Sequence, residues 1–266
     1  MLPAAGVGGL VYAIAGSPGF MAGRRSRTLW AYDPVSDSWS RLADLPHDRV
    51  ACAAGAIGNH IYVAGGIGGA PTRLTAYDWT ADTWEVGPPM SAPREHLAAA
   101  VGSGRLFVIG GRWSGVGNVA TVEANDPARA TWQVLPPMPT PRGGLAAAAV
   151  GDRIYVTGGE ELDGSGTTHP AVEVYDPGAQ RWHPAPALPT ARHGLGAATV
   201  ARRWYVIGVG RTAGLSVSGA VERFDPASSQ QSVLPTHAGN THYLARAAAL
   251  PYEFGASCAL AGSGRM

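Results

Sequence analysis

The sequence predicts an all-β propeller. Three observations support this fold class: one cassette of residues recurs at constant internal spacing, short apolar runs of strand length alternate with turn residues, and no stretch has a convincing long helical period. The 266 residues include 37 Gly and 21 Pro, which indicate many turns. With 45% hydrophobic and only 15% charged residues, the chain can bury a substantial core.

The repeated cassette begins at an Asp. A Trp follows six residues later, an apolar residue six after that, an Arg four further on, and a Gly sixteen beyond the Arg. The distance from Asp to Gly is 32 residues in every copy, whereas the distance from Gly to the next Asp varies from 13 to 18. Self-similarity at this period is typical of propellers and solenoids. The four copies start at Asp33, Asp78, Asp126 and Asp176.

Each repeat contains four predicted strands, A to D. Strand A is an Ala-rich run after the Arg, strand B ends in glycines, strand C precedes the Asp, and strand D begins at the Trp. Small residues in strand A suit the innermost position, where blades crowd around the axis. The predicted A strands include Leu97–Val101, Leu145–Val150 and Leu195–Val200; the B strands include Ile61–Ala64, Leu106–Ile109, Ile154–Thr157 and Trp204–Ile207; the C strands include Val122–Asn125, Val172–Tyr175 and Val221–Phe224.

These motifs resemble the kelch-repeat β-propeller family, whose bacterial members share the fold of galactose oxidase and sialic-acid mutarotase. The resemblance rests on the double glycine (Gly65-Gly66), the Tyr-Asp pair (Tyr175-Asp176), the Trp six residues on, and the Pro-x-x-Arg segment. It covers at least residues 10 to 234. The fifth repeat departs from the pattern, because Gln231 replaces the Trp, and whether it forms strand D is left open.

The register predicts five four-stranded blades plus a partial sixth. Residues 1–234 form the propeller. Residues 235–266 form either a degenerate partial sixth blade, with worn strands A and B between 244 and 262, or a disordered tail. The apolar N-terminus matches strand B of later repeats, which favours a strand over a signal peptide and a cytoplasmic over a secreted protein.

Composition limits the possible functions. The net charge of +1 gives no global field for nucleic acid, and no apolar run is long enough for a membrane helix. The sequence contains no Lys, which excludes lysine nucleophiles. Cys52 and Cys258 form neither a disulfide framework nor a metal-ligand spacing. We therefore expect no cofactor, no metal and no nucleic-acid or membrane partner.

The B–C and D–A links should lie on one face, because chain direction alternates along each blade. All the length variation falls in the B–C links, and variable loops on a rigid scaffold commonly carry binding. The Pro-x-x-Arg segment is the D–A link, and it adds a ring of arginines to this face. The residues predicted to contact a ligand here are Arg49, Arg94, His96, Arg112, Trp113, Arg142, Glu160, Arg192, His193 and Arg211.

The arginine ring also has a structural interpretation, which the repeat itself favours. An Arg at the same place in each repeat can serve the internal hydrogen bonding of the blade. Glu123, Glu173 and Glu222, each three residues before the Asp, are its predicted partners. The loop residues Arg112 and Trp113 are not dictated by the repeat, which makes them better candidates for ligand contact than the repeat arginines.

Three functions remain open at this point. A binding module for a protein or peptide, possibly acidic, is favoured, because no acid/base pair is recognisable and no catalytic residue can be assigned. An enzyme resembling kelch sialic-acid mutarotases would use Arg94, Glu95, His96, Arg142 and Arg192 on an acidic sugar. A carbohydrate-binding propeller is the third. Glu160, Glu161, Asp163 and His169 could supply metal ligands, although a polar Gly-rich loop explains them better.

Overall fold

The computed structural model describes residues 3–17, 25–162, 165–208, 210–214, 216, 218–235 and 258–259. These residues form five antiparallel sheets, blades I to V, each built from four consecutive strands of the chain, which make a five-blade β-propeller; the sheet of blade I gains a fifth strand near the C-terminus. No helix in this part of the chain is long and apolar enough to span a membrane. The all-β prediction is confirmed.

The blade strands follow the predicted order A to D. Blade I contains β1 (Pro3–Val7), β2 (Leu10–Ile14), β3 (Leu29–Asp33) and β4 (Ser38–Leu42). Blade II contains β6 (Ala53–Ile57), β7 (His60–Ala64), β9 (Arg73–Asp78) and β10 (Thr83–Pro89). Blade III contains β11 (Ala98–Gly102), β12 (Arg105–Ile109), β15 (Val122–Asp126) and β16 (Thr131–Leu135).

Blades IV and V complete the described ring. Blade IV contains β17 (Gly143–Val150), β18 (Arg153–Glu160), β19 (Val172–Asp176) and β20 (Arg181–Ala185). Blade V contains β21 (Gly196–Val200), β22 (Arg203–Ile207), β23 (Val221–Asp225) and β24 (Gln230–Leu234). Short strands occupy the links: β5 (Arg49–Val50), β8 (Ile67–Gly68), β13 (Arg112–Trp113) and β14 (Gly117–Asn118).

The A strands pack against each other around the axis. Contacts run from β1 to β6, β11, β17 and β21 in turn. Ala54, Ala99 and Ala147 are fully buried there, because small side chains let neighbouring sheets approach closely where the blades converge. The Ala/Gly composition therefore marks the inner strand, as predicted.

An apolar core fills each of the four interfaces between consecutive blades, from I–II to IV–V. Between blades III and IV, for example, Phe107 and Ile109 on one sheet face Ile154, Val156 and Tyr175 on the next. Equivalent clusters join I to II, II to III, and IV to V. The hydrophobic core is thus divided into layers, each formed by two facing sheets.

In blades II to IV the repeated Trp links the outer strand to the preceding blade. The indole N–H of Trp84 donates to the Ala43 carbonyl at 2.9 Å, and that of Trp132 donates to Pro88 at 3.0 Å. In blade V the Gln231 amide donates to the Pro186 carbonyl at 2.7 Å. Strand D of the fifth repeat therefore forms, with an amide in place of the indole donor.

The predicted sixth unit falls almost entirely outside the described residues. Its described part is β25 (Cys258–Ala259), which pairs antiparallel with Pro3 and Ala4 of β1. β25 also contacts β21, so it lies between the inner strands of blades V and I. The assignment of residues 235–266 to a partial blade stays a prediction.

Candidate functional site

The four repeat arginines are internal to the propeller. Their exposed fractions are only 0 to 2%. Each described guanidinium contact is made within the fold: Arg94 donates to the carbonyls of Gly110 at 3.0 Å and Thr121 at 2.8 Å. The set consists of Arg49, Arg94, Arg142 and Arg192.

Three of these arginines have the predicted carboxylate partner. Arg94 pairs with Glu123 at 2.6 Å and Arg192 with Glu222 at 2.6 Å. Arg142 lies 3.1 Å from Glu173. Burial lowers the pKa of each guanidinium, and the facing carboxylate opposes that shift. The predicted Arg–Glu pairing is confirmed.

Arg49 is the exception. Its guanidinium donates to the carbonyls of Gly65 at 2.9 Å and Arg73 at 2.6 Å. The position of the carboxylate is taken by Thr75, whose hydroxyl is buried without a hydrogen-bond partner in the described part of the chain. Burial lowers the pKa of Arg49 with no carboxylate to oppose it. A buried cation without a counter-charge is costly.

Each repeat arginine also connects two blades through its backbone. The Arg94 carbonyl accepts from Gly66 N–H of the preceding blade at 2.7 Å, while its side chain reaches Gly110 of its own blade. Gly65 and Gly66 have φ of 69° and 93°, which L side chains rarely adopt. A Cβ on Gly65 would lie 2.7 Å from the Arg94 carbonyl. The double glycine therefore permits this close approach between blades.

A second backbone chain runs around the axis, two residues after each arginine. His96 N–H donates to the Ala51 carbonyl at 2.9 Å, Gly144 to His96 at 2.8 Å, and Gly194 to Gly144 at 2.7 Å. All four residues have a left-handed backbone, with φ between 51° and 68°. His96 is the one with a large polar side chain, and such residues held at positive φ often occur at functional sites.

The D–A and B–C links pair with each other in each of blades II to V. Val50 pairs with Ile67, Glu95 with Arg112, Gly143 with Glu160, and His193 with Gly210. Within each pair, one residue follows the repeat arginine and the other follows the double glycine or its equivalent. These pairings bring the D–A links, whose length is constant, and the B–C links, whose length varies, together at one end of the sheets.

Arg112 lies at the centre of an ion-pair network on this face. Its Nε donates to Glu95 at 2.8 Å and its Nη1 to Glu160 at 2.7 Å. The second Glu160 oxygen lies 3.1 Å from His193 Nδ1 and accepts from Gly214 N–H at 2.8 Å. Arg112 is thereby neutralised within the fold.

Two histidines flank this network. Burial lowers the pKa of His96 well below its ordinary value, and the positive charge of Arg112 and the neighbouring His193 add to the shift. Burial also lowers the pKa of His193, against the opposing charge of Glu160. The His96 ring contacts the Glu95 carboxylate. Both imidazoles are therefore held neutral near pH 7.

An open groove of about 400 Å³ lies beside the network. Trp113 and Leu162 form apolar walls, and Leu162 is 56% exposed. Asn118 donates to the Glu161 carboxylate at 2.8 Å, and His169 lies 3.0 Å from the other Glu161 oxygen. The residues that line the groove include Glu95, Arg112, Trp113, Asn118, Glu161 and Leu162.

The structure groups some of the predicted contact residues and separates others. Arg112 and Trp113 line the groove, and Glu160, His96 and His193 lie in or beside its ion-pair network. Arg211 is exposed in the B–C link of blade V, where its carbonyl accepts from the Thr168 hydroxyl. The four repeat arginines are buried below the loops.

Sequence analysis did not select Asn118 or Leu162 as contact residues, and it weighed Glu161 as a metal ligand. Their positions in the B–C links, whose length varies between repeats, were the available indication. Within the described residues, no group of three His, Cys, Asp or Glu side chains is placed to hold a metal ion. Asp163, another of the weighed ligands, lies outside the described residues.

Two kelch-repeat family models together match most of the chain. The KLHDC2/KLHL20/DRC7 Kelch-repeats domain model matches residues 51–250, and the Kelch motif model matches residues 2–46. The chain belongs to the kelch-repeat family. The Arg–Glu pairs and double glycines described above are therefore features of kelch repeats in this chain.

The names of two relatives of this kelch chain pair such repeats with another domain. Human Kelch repeat and BTB domain-containing protein 13 is 36% identical over 118 residues, which are 42% of this chain and 25% of the relative. An F-box/kelch-repeat protein of Arabidopsis thaliana is 37% identical over 90 residues, 33% of this chain and 24% of the relative. Mouse Kelch-like protein 35 is 30% identical over 109 residues, 40% of this chain and 18% of the relative. The matched segments span a quarter or less of these relatives.

Proposed function

We propose that this kelch propeller is a protein-recognition module that binds a peptide segment through its B–C and D–A loop face. The observation that carries the proposal is the groove between the B–C links of blades III and IV, where Trp113 and Leu162 offer apolar surface beside polar groups. Aromatic side chains at a rigid concave surface are typical of binding hot spots. The BTB and F-box domains in the names of the relatives accord with a recognition role.

The scaffold beneath the groove supports this proposal. The buried arginines and the backbone chain through His96 and Gly144 hold the D–A links rigidly. The B–C links pair with these links and differ in length between blades. A rigid base that carries divergent loops lowers the entropic cost of binding, since the contact residues are already ordered.

The acidic-ligand alternatives gain no support from the site. An acidic sugar or acidic peptide held by the arginine ring would need Arg94, Arg142 and Arg192 to reach solvent. Their guanidinium groups are at most 2% exposed and face the carboxylates of their own blades. We therefore assign these arginines a structural role and restrict the proposed contact surface to the loop residues.

A peptide-display selection against the full chain tests the proposed function. Selected peptides should lose most of their binding to a Trp113→Ala/Leu162→Ala variant, because both apolar walls are removed. They should keep their affinity for Val35→Ala, which shortens a 94% exposed side chain in a C–D turn at the opposite end of the sheets. A selection that yields no binder, or binders indifferent to Trp113 and Leu162, would contradict the proposal.

A further inference from the structure

The groove carries an excess of negative charge. Three carboxylates, those of Glu95, Glu160 and Glu161, lie in or beside it, and Arg112 is the one guanidinium among its lining residues. Arg112 is already shared by Glu95 and Glu160. The histidines at the edges do not restore the balance, because burial keeps His96 and His193 neutral near pH 7.

Glu161 retains capacity for a further donor. Its side chain is 32% exposed, and its described partners are Asn118 and His169. A carboxylate can accept several hydrogen bonds, so Glu161 can also accept from a cationic group. Glu95 is about nine-tenths buried, and its Oε2 is in contact with the His96 ring.

The groove walls suit a side chain that has an apolar stem and a cationic end. Trp113 provides an aromatic surface on which a guanidinium or ammonium group can stack. Leu162 provides aliphatic surface for methylene groups. An aromatic wall, an aliphatic wall and the partly exposed Glu161 carboxylate thus occur together within one opening of about 400 Å³.

We propose that the groove binds an arginine or lysine side chain of the partner segment, with its cationic group between Glu161 and Trp113. This inference rests on the proposed function and specifies the chemistry of the partner. The proposed basic partner differs from the acidic partner that the repeat arginines suggested, because those arginines are buried inside the fold. The selectivity for a basic segment comes from the loops of blades III and IV.

The test uses the peptide-display selection on the full chain, followed by fluorescence anisotropy with synthetic forms of the selected peptides. We expect enrichment of Arg or Lys next to an apolar residue. Glu161→Gln should weaken these peptides about tenfold or more, since it removes a charge-assisted hydrogen bond while keeping the shape. Asp152→Asn is the matched control, because it removes the same charge from an exposed A–B link.

The outcomes separate this inference from the proposed function. If selected peptides depend on Trp113 and Leu162 but lack Arg and Lys, or bind Glu161→Gln unchanged, the basic side chain is wrong and the binding face stands. If no selected peptide depends on Trp113 and Leu162, both the basic side chain and the proposed binding face are wrong. Weaker binding at higher salt, lost in Glu161→Gln, would support the inference, because salt screens the exposed pair.

Discussion

Arg112 Nη1 donates to Glu160 Oε1 at 2.7 Å and joins the B–C link of blade III to the end of strand B in blade IV. The same guanidinium donates to Glu95 in the D–A link. The Arg112 side chain therefore holds together three segments that are distant in sequence. The groove has a defined shape because this contact holds its two walls together.

Arg112→Gln should lower the free energy of unfolding by about 2–4 kcal/mol, because it leaves the buried Glu160 without its cation. Urea denaturation of the full chain measures the loss. The double variant Arg112→Gln/Glu160→Gln should recover part of it, since no uncompensated carboxylate then remains at that position. Equal losses for the single and the double variants would argue against the pairing.

Thr75→Glu should stabilise the chain by about 1 kcal/mol or more. It would give Arg49 the carboxylate that Glu123 gives Arg94, at the equivalent place in the repeat. The matched control is Glu123→Thr, which should destabilise by about 3–5 kcal/mol, because it leaves Arg94 buried and unpaired. A Thr75→Glu variant with a lower urea midpoint than the parent would contradict the equivalence of the two sites.

Gly66→Ala should destabilise the propeller more than Gly104→Ala. Both glycines have positive φ, so both variants carry a backbone cost of about 1 kcal/mol. A Cβ on Gly66 would also lie 2.8 Å from the Val50 carbonyl and 2.8 Å from Cys52 Cβ, whereas nothing lies within 4 Å of one on Gly104. The difference in unfolding free energy between the two variants isolates the close approach of the blades. Equal losses would show that backbone conformation alone requires the glycine.

Stability should fall as the pH drops below about 6.5. The folded-state pKa values of His96 and His193 are lowered, so the unfolded chain binds protons that the folded chain does not. The contribution of the two histidines to the free energy of unfolding is complete above their pKa in the unfolded chain. It is lost as the pH falls towards their lower pKa in the folded chain. His96→Asn, which keeps a residue that tolerates positive φ, should flatten the dependence between pH 7.5 and 5.5 in thermal or urea unfolding. An unchanged slope in this variant would contradict a neutral buried His96.

Trp132→Gln should cost more stability than Trp39→Gln. Trp132 packs against the apolar cluster between blades II and III and donates to the Pro88 carbonyl, whereas Trp39 is 51% exposed. We expect about 2 kcal/mol or more for Trp132 and about 1 kcal/mol or less for Trp39. Comparable losses would contradict the exposure of Trp39 and the interblade role of Trp132.

The kelch repeat could be predicted in detail because its residue types are determined by local geometry and recur at a constant spacing. The strands, the inner Ala-rich position and the Arg94–Glu123 pair all follow from the register of the cassette. The fifth repeat shows the limit of such reasoning. Loss of its Trp left strand D uncertain, yet β24 forms, because a Gln amide can make the same interblade hydrogen bond.

By itself, the sequence determined the repeat unit, the number of complete blades and the surface on which variable links gather, since backbone pairing and strand alternation depend on local spacing. Only the tertiary structure decided between the two roles that the sequence left open for the repeat arginines, and only it showed that Arg112 is shared by Glu95 and Glu160. The direction and neutralisation of a charged side chain depend on groups brought from distant loops. For that reason the loop face that was predicted to be basic carries, between blades III and IV, a groove with more carboxylates than cations.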